Sequence, residues 1–291
     1  MRSQTIASDE RTEDREHMTP PTPIKASSSR RARWPVDSRW GDRALQASFV
    51  IIVLAVWSAA HASGVVSSDV LPSVPSVARE LVSLVGTGEY WTAVLSTLSS
   101  ALQGLVIALV VAVPLGLLTG SYLPAERATR VLIDFGRSFP VVALLPVFLL
   151  VIGSNGTMKA TIVFIACFFP LFLQTQYGAH SVEPMIAETA RSFRIPRCLR
   201  YSRVVLPSAV PSIMTGLRLA TTTAVLVAVG VEILTTLPGI GQMIVQTQID
   251  QNSPRSFAYI VSAALIGYAI NRSSQTAENY FLRWRPPAST S

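Results

Sequence analysis

Lysine is almost missing from this chain: it occurs only at positions 25 and 159, although Lys and Arg together number 24. A Lys-dependent active site has little to draw on. Neither lysine lies in a G-x-x-x-x-G-K-[ST] loop, so that kind of phosphate cradle is absent. Histidine is nearly as scarce, at 17, 61 and 180, and no His/Asp/Glu set with ligand spacing falls inside the apolar runs, which argues against an intramembrane enzyme or a metal centre. The two cysteines do not look like a staple: Cys167 lies in an apolar run and Cys198 among arginines. Charge is sparse too, at 14% of residues against 49% hydrophobic, with a mean hydropathy of +0.42. That is too apolar for an ordinary soluble domain and too interrupted for one buried core. The net charge of +7 falls mostly in the tail and in short segments between apolar runs. It is the pattern that orients membrane helices rather than one that binds nucleic acid.

What remains reads as an all-α, polytopic membrane protein. Residues 1–43 mix acids with arginines and run through "TPPTPIKASSSRRAR", with too few large apolar groups to offset the entropy of ordering, and are expected to form a disordered tail. The apolar stretch after it starts too late for a typical cleaved signal peptide. Six segments, near 44–61, 95–120, 131–152, 159–178, 209–236 and 256–272, approach the roughly 20 residues that cross about 30 Å of hydrocarbon. The last is the weakest, because "NRSSQTAENY" follows it. The membrane domain is thus expected over 44–280, with a short tail over 281–291. Arg30, Arg31, Arg33, Arg39 and Arg43, then Arg127 and Arg130, then five arginines at 191–203, and finally Arg283 and Arg285 fall on one side; Arg79, Lys159 and Arg255 fall on the other. By the positive-inside rule both termini face the cytoplasm.

The connection over 183–207, "EPMIAETARSFRIPRCLRYSRVVLP", repeats arginine every third residue from 191 to 203. Charge alone is explained by a solvated loop held inside. The prolines say more: a helix over about 185–194 should stop before Pro196, and a second short helix should open there and close before Pro207. Two short helices with a bend form a knob suited to docking in a partner's groove.

The spacing of this stretch is informative: Glu188, Thr189 and Ala190, then Arg194 after three residues, then Val204 after nine, and Leu206-Pro207. It resembles the EAA loop of permease subunits of ATP-binding cassette (ABC) importers, whose form is Glu-Ala-Ala, three residues, Gly, nine residues, Ile, one residue, Leu-Pro. Three identities depart, with Thr189 for Ala, Val204 for Ile and Arg194 for Gly. Arg194 must either keep a negative φ, which leaves the turning to Pro196, or accept strain. "LPSVPSVARELVSLVGTGEYW", "VAVPLGLLTG", "VLPSAVPSIMTGLRLA" and "VGVEIL" extend the likeness over about 71–272. They are similar to the branch that imports nitrate, sulfonates, taurine or thiamine-precursor pyrimidines. The resemblance implies a type I permease fold in the cell membrane and no enzyme activity in this chain. It also implies a second permease copy, a homodimer in this reading, an extracytoplasmic binding protein, and a cytoplasmic ATPase that holds ATP and Mg. No cofactor is expected in the chain itself. A secondary transporter or a membrane scaffold is the competing reading, but no second copy of "VVLPSAVP" marks the paired halves of the former, and the latter gives no reason for the EAA spacing.

Within the spans, Thr221, Thr222 and Thr223 sit near mid-helix and point three ways, so one or two at most meet a substrate. Glu232, about 36 Å along the same helix, falls near the outer mouth, where it either lines the pathway, pairs with a neighbour or reaches headgroup water. Arg218 either snorkels or binds a helix-end carbonyl. "GLLTG" at 116–120 is a G-x-x-x-G match, "LPGIGQM" at 237–243 reads as a turn into a short helix, and Val77, Leu81, Leu84 and Val85 share one face of an interfacial helix.

Overall fold

A computed structural model describes residues 39–67, 69–182 and 184–283. Most of the expected tail, Glu183 and the segment after 283 lie outside the described residues. The chain divides into two units, residues 1–53 and 54–291. The first unit contributes the beginning of α1 (Arg39–Ala62), where Leu45, Phe49, Val50, Ile51 and Ile52 are all exposed. The second unit holds the rest of the helices.

These helices are set by their caps and prolines. α2 (Val74–Val85) starts where Ser73 accepts from the Ser76 amide, α3 (Gly88–Ser121) where Thr87 accepts from that of Tyr90, and α6 (Gly156–His180) where Asn155 accepts from that of Met158 at 2.9 Å. α3 and α6 keep going through Pro114 and Pro170, since their mostly apolar neighbours have no other way to satisfy backbone groups in hydrocarbon. In α2, Val77 and Leu84 are buried, while Val85, expected on the same face, is exposed at the helix end.

Among the described residues, four stretches are long and apolar enough to cross a membrane: Arg43–Ala62, Gly88–Ser121, Gly156–His180 and Tyr201–Ile249. The expected span over 131–152 is not one straight helix. α4 (Leu123–Ser138) ends before Phe139-Pro140, and a 3₁₀ turn (Val141–Leu144) leads into α5 (Leu145–Val151), with a bend of 86° between the two arms. Pro140 disfavours helix at Phe139, which is extended, so the rod breaks there. α9 (Leu206–Thr235) turns at Thr236 and Gly239 into α10 (Ile240–Ile249). α11 (Ser253–Phe281) begins at the Asn252 cap and runs well past the expected end at 272. Its polar second half is anchored on α9: Glu278 accepts from Thr215 Oγ1 at 3.1 Å and pairs with Arg218 at 3.3 Å. The Arg218 guanidinium thus ends on an acid of α11 rather than on a helix-end carbonyl.

α3, α6 and α9 form the centre, with α6 packed along both of the others. The contact is lined by small groups: Ala101, Ala108, Ala112, Cys167, Ala220, Ala224 and Ala228 are buried. Small residues let backbones approach, and dispersion then does the work that the hydrophobic effect does in water. As at Gly104, the two helices approach closely at Gly116 and Gly120. A Cβ there would stand 2.8 Å from the Phe172 carbonyl oxygen and 2.6 Å from that of Gln176. The G-x-x-x-G match is thus the seam between α3 and α6.

Candidate functional site

Two places in this bundle carry chemistry. The first is the loop. α7 (Pro184–Ser192) contains Glu188 and Thr189, both exposed, and Ala190, which is buried at 4% exposure and so belongs to the inner face. Thr189 Oγ1 returns its hydrogen to the Met185 carbonyl. Phe193 stands out from the loop with 77% of its surface exposed. Arg194 has φ +50°, and the Ile195 amide closes onto the Ala190 carbonyl at 3.0 Å. Of the two outcomes open for Arg194, strain holds and turning at Pro196 does not: Arg194 itself makes the left-handed turn at the position where the EAA pattern has Gly. Pro196 then opens the second short helix, α8 (Arg197–Arg200).

That second helix does not close before Pro207. A π turn (Tyr201–Val205) carries it into α9, and Leu206 donates to the Tyr201 carbonyl. Pro207 has no N–H to give to residue 203, so widening the turn there relieves the ladder at the entry to α9. Val204 lies in this turn, and Leu206-Pro207 open α9. The loop is therefore mechanically continuous with a central span.

The second place was only half legible. Glu232 on α9 is fully buried, and Lys159 on α6, at 2% exposure, donates to its Oε1 at 2.8 Å. Oε2 accepts from Thr97 Oγ1 of α3 at 2.9 Å and from the Gly241 amide at 3.0 Å. Lys159 also donates to the Pro238 carbonyl at 3.0 Å, and Ser96 Oγ to the same oxygen at 2.7 Å. The Ile240 amide reaches Thr97 Oγ1. Four segments of the fold thus meet on one carboxylate: α3, α6, α9 and the turn into α10. Gly239, at φ +154°, leaves the space the carboxylate needs, since a Cβ there would collide with Glu232 Cδ. Of the readings open for Glu232, pairing holds and headgroup water does not. Lys159, which the charge count puts among groups facing outer water, is instead an internal partner. A lone lysine four residues into an apolar helix, with one acid in another span, was the available signal.

The three threonines diverge as their spacing requires. Each hydroxyl bonds the carbonyl four residues back: Thr221 to Leu217, Thr222 to Arg218, Thr223 to Leu219. Thr221 lines an apolar cavity of about 220 Å³ with Leu98 and Val225, and Thr222 a groove of about 430 Å³ between α9 and α11. Thr223 lines neither.

A bundle of helices entered through a two-helix knob, with its only buried charge pair spent on holding a turn among the described residues, is built as a membrane permease. The family described as binding-protein-dependent transport system inner membrane component matches residues 112–283, more than half of the chain, and the chain belongs to it: it is a permease subunit of an ABC importer. A putative aliphatic sulfonates transport permease protein of Escherichia coli (strain K12) is 30% identical over 234 residues, which cover 80% of this chain and 89% of that protein. A probable ABC transporter permease protein of Brucella abortus (strain 2308) is 27% identical over 232 residues, 80% of this chain and 92% of the other. Among solved structures, an inward-facing form of the MetNI methionine ABC transporter superposes with a TM-score of 0.58 over 65% of this chain and 94% of that one, at 16% identity. The likeness shows the type I permease fold. The family transports rather than catalyses, its ATPase activity lies in a separate subunit, and it works with a binding protein.

Proposed function

We propose that this subunit forms the pathway for a small solute of the sulfonate, taurine, nitrate or thiamine-precursor type, and that residues 187–207 couple it to the ATPase. The supporting observation is the continuity of the loop with α9: a push on Glu188, Thr189 or Phe193 passes through Arg194 and the π turn directly into the helix that bears Thr221, Thr222 and Glu232. Ala190 packs the inner face of the knob, Val204 lies in the turn, and Leu206-Pro207 fix the entry of the span. We place the loop and both termini in the cytoplasm on the charge count. ATP and Mg belong to the partner ATPase, and a second copy of this chain completes the pathway. Thr221 and Thr222 face the two cavities along α9 and are the pathway positions; Glu232 acts by holding the outer turn.

The test is uptake together with ATPase activity stimulated by binding protein, both normalised to inserted permease. Glu188→Ala changes one exposed side chain and no span, so uptake falls while insertion holds. Arg200→Ala does less, because a single loop charge in contact with water contributes about 0–1 kcal/mol. Full uptake in the Glu188 variant would reduce the loop to an orientation signal.

A further inference from the structure

We propose that the cleft between α4 and α6 binds the phosphate of a membrane phospholipid. A cavity of about 240 Å³ separates the two helices, edged by Glu126, Arg130, Asp134 and Arg137 of α4 and by Gln176 and Tyr177 of α6. Its acids are occupied. His180 Nε2 lies 3.1 Å from Glu126, and Arg137 lies 3.2 Å from Asp134. Arg130 has no acidic partner among the described residues. Gln176 is only 7% exposed, yet its side-chain amide makes no hydrogen bond among the described residues; the surface it keeps faces this cavity. That amide is not sealed from solvent, so it is free to bond a group that enters the cavity. The Tyr177 hydroxyl, on a residue that is largely exposed, completes a set of three donors around one space. Several donors converging with one free guanidinium are what an oxyanion requires. The start of α4 lies beside the end of α6, joined by Glu126 and His180, so the two helix-end dipoles offset each other and the side chains decide. With two arginines against two acids, the lining suits a singly charged phosphodiester better than a polyanion.

Position and surroundings select a lipid over a free anion. Gln176 and Tyr177 stand in the last turns of α6, and α4 begins two residues after α3 ends, so the cavity lies where the spans stop, at headgroup depth. On α4 the cavity face repeats at 126, 130, 134 and 137. The stripe beside it, one residue on, carries Val131 and Phe135, and Leu132 adjoins them; all three are at least two-thirds exposed. An oxyanion site flanked by an outward apolar stripe fits one molecule with a phosphate head and acyl chains.

The experiment uses the full chain purified in detergent, stripped of lipid, and given back dioleoylphosphatidylglycerol, with bound lipid read by native mass spectrometry. Arg130→Gln and Gln176→Leu should each reduce lipid occupancy about tenfold, the loss of one hydrogen bond to a charged phosphate. Arg79→Gln on α2 should change nothing, and millimolar inorganic phosphate should not displace the lipid. Equal loss in the Arg79 variant, or wild-type binding in both cavity variants, overturns the proposal. Displacement by inorganic phosphate would assign the cleft to a soluble anion, and lipid release on dimerisation to a second copy of the chain; either also overturns it.

Discussion

At the scale of single residues, two side chains sit where their type is costly, and each makes a prediction. Arg194 holds φ +50°, which a Cβ-bearing residue reaches at a cost of about 1–2 kcal/mol. Arg194→Gly should therefore stabilise the knob by about 1 kcal/mol and leave uptake intact, read by thermal unfolding and by transport normalised to inserted protein. A loss of uptake at preserved stability would mean that the guanidinium, not the turn, is what matters there. Lys159 and Glu232 form a buried pair in which the ammonium and both carboxylate oxygens have partners. Lys159→Met leaves an unpaired carboxylate at full burial and should destabilise by about 3–5 kcal/mol, whereas Lys159→Met with Glu232→Gln should recover most of that loss. Thermal inactivation of the inserted protein measures both. If the single and double variants are equally unstable, the pair is not the unit that holds the α10 turn.

At the scale of elements, the α3–α6 seam and the α9–α11 groove make opposite demands on glycine. Gly120→Leu drives a side chain into the Gln176 carbonyl and Ala179 and should abolish the folded permease in detergent. Gly230→Leu meets open space in the groove and should leave folding unchanged while reducing uptake if α9 lines the pathway there. Retention chromatography and uptake separate the two outcomes. The break between α4 and α5 belongs to this scale as well. An apolar run of the right length over 131–152 reads as one span by composition, but Pro140 sets the backbone of Phe139, and the geometry of one residue outweighs the hydropathy of the whole run. α11 shows the reverse. Its polar second half argues against a helix in lipid, and an ion pair to α9 supplies what the sequence window could not contain.

At the scale of the whole molecule, one EAA-like loop per chain and no G-x-x-x-x-G-K-[ST] loop predict a homodimer with two copies of a separate ATPase. Native mass determination of the affinity-purified complex should give that stoichiometry, and a stable monomer without ATPase would count against it. Orientation is tested separately: a membrane-impermeant thiol reagent on intact cells should label Gly88→Cys and spare the native cysteines. Reversed labelling would move the loop away from any cytoplasmic ATPase.

Features that depend on neighbours along the chain were legible in the sequence. Apolar length set the central spans α3, α6 and α9, Pro196 marked where the first short helix of the loop stops and the second opens, and the spacing from Glu188 to Pro207 together with the motifs over about 71–272 pointed to the family that the comparison with known proteins bears out. Features that depend on residues far apart in the chain emerged with the packed fold alone. Lys159 and Glu232 lie 73 positions apart, and nothing local distinguishes a lysine at a helix start that faces water from one that faces a carboxylate. Arg194 shows the same limit within a single turn: φ is positive because Ala190 packs inward and the Ile195 amide needs its carbonyl, a closure that the helix on one side and the span on the other impose together. Local propensity is a difference of about 1 kcal/mol, and closure of a packed bundle, summed over many contacts, overrides it.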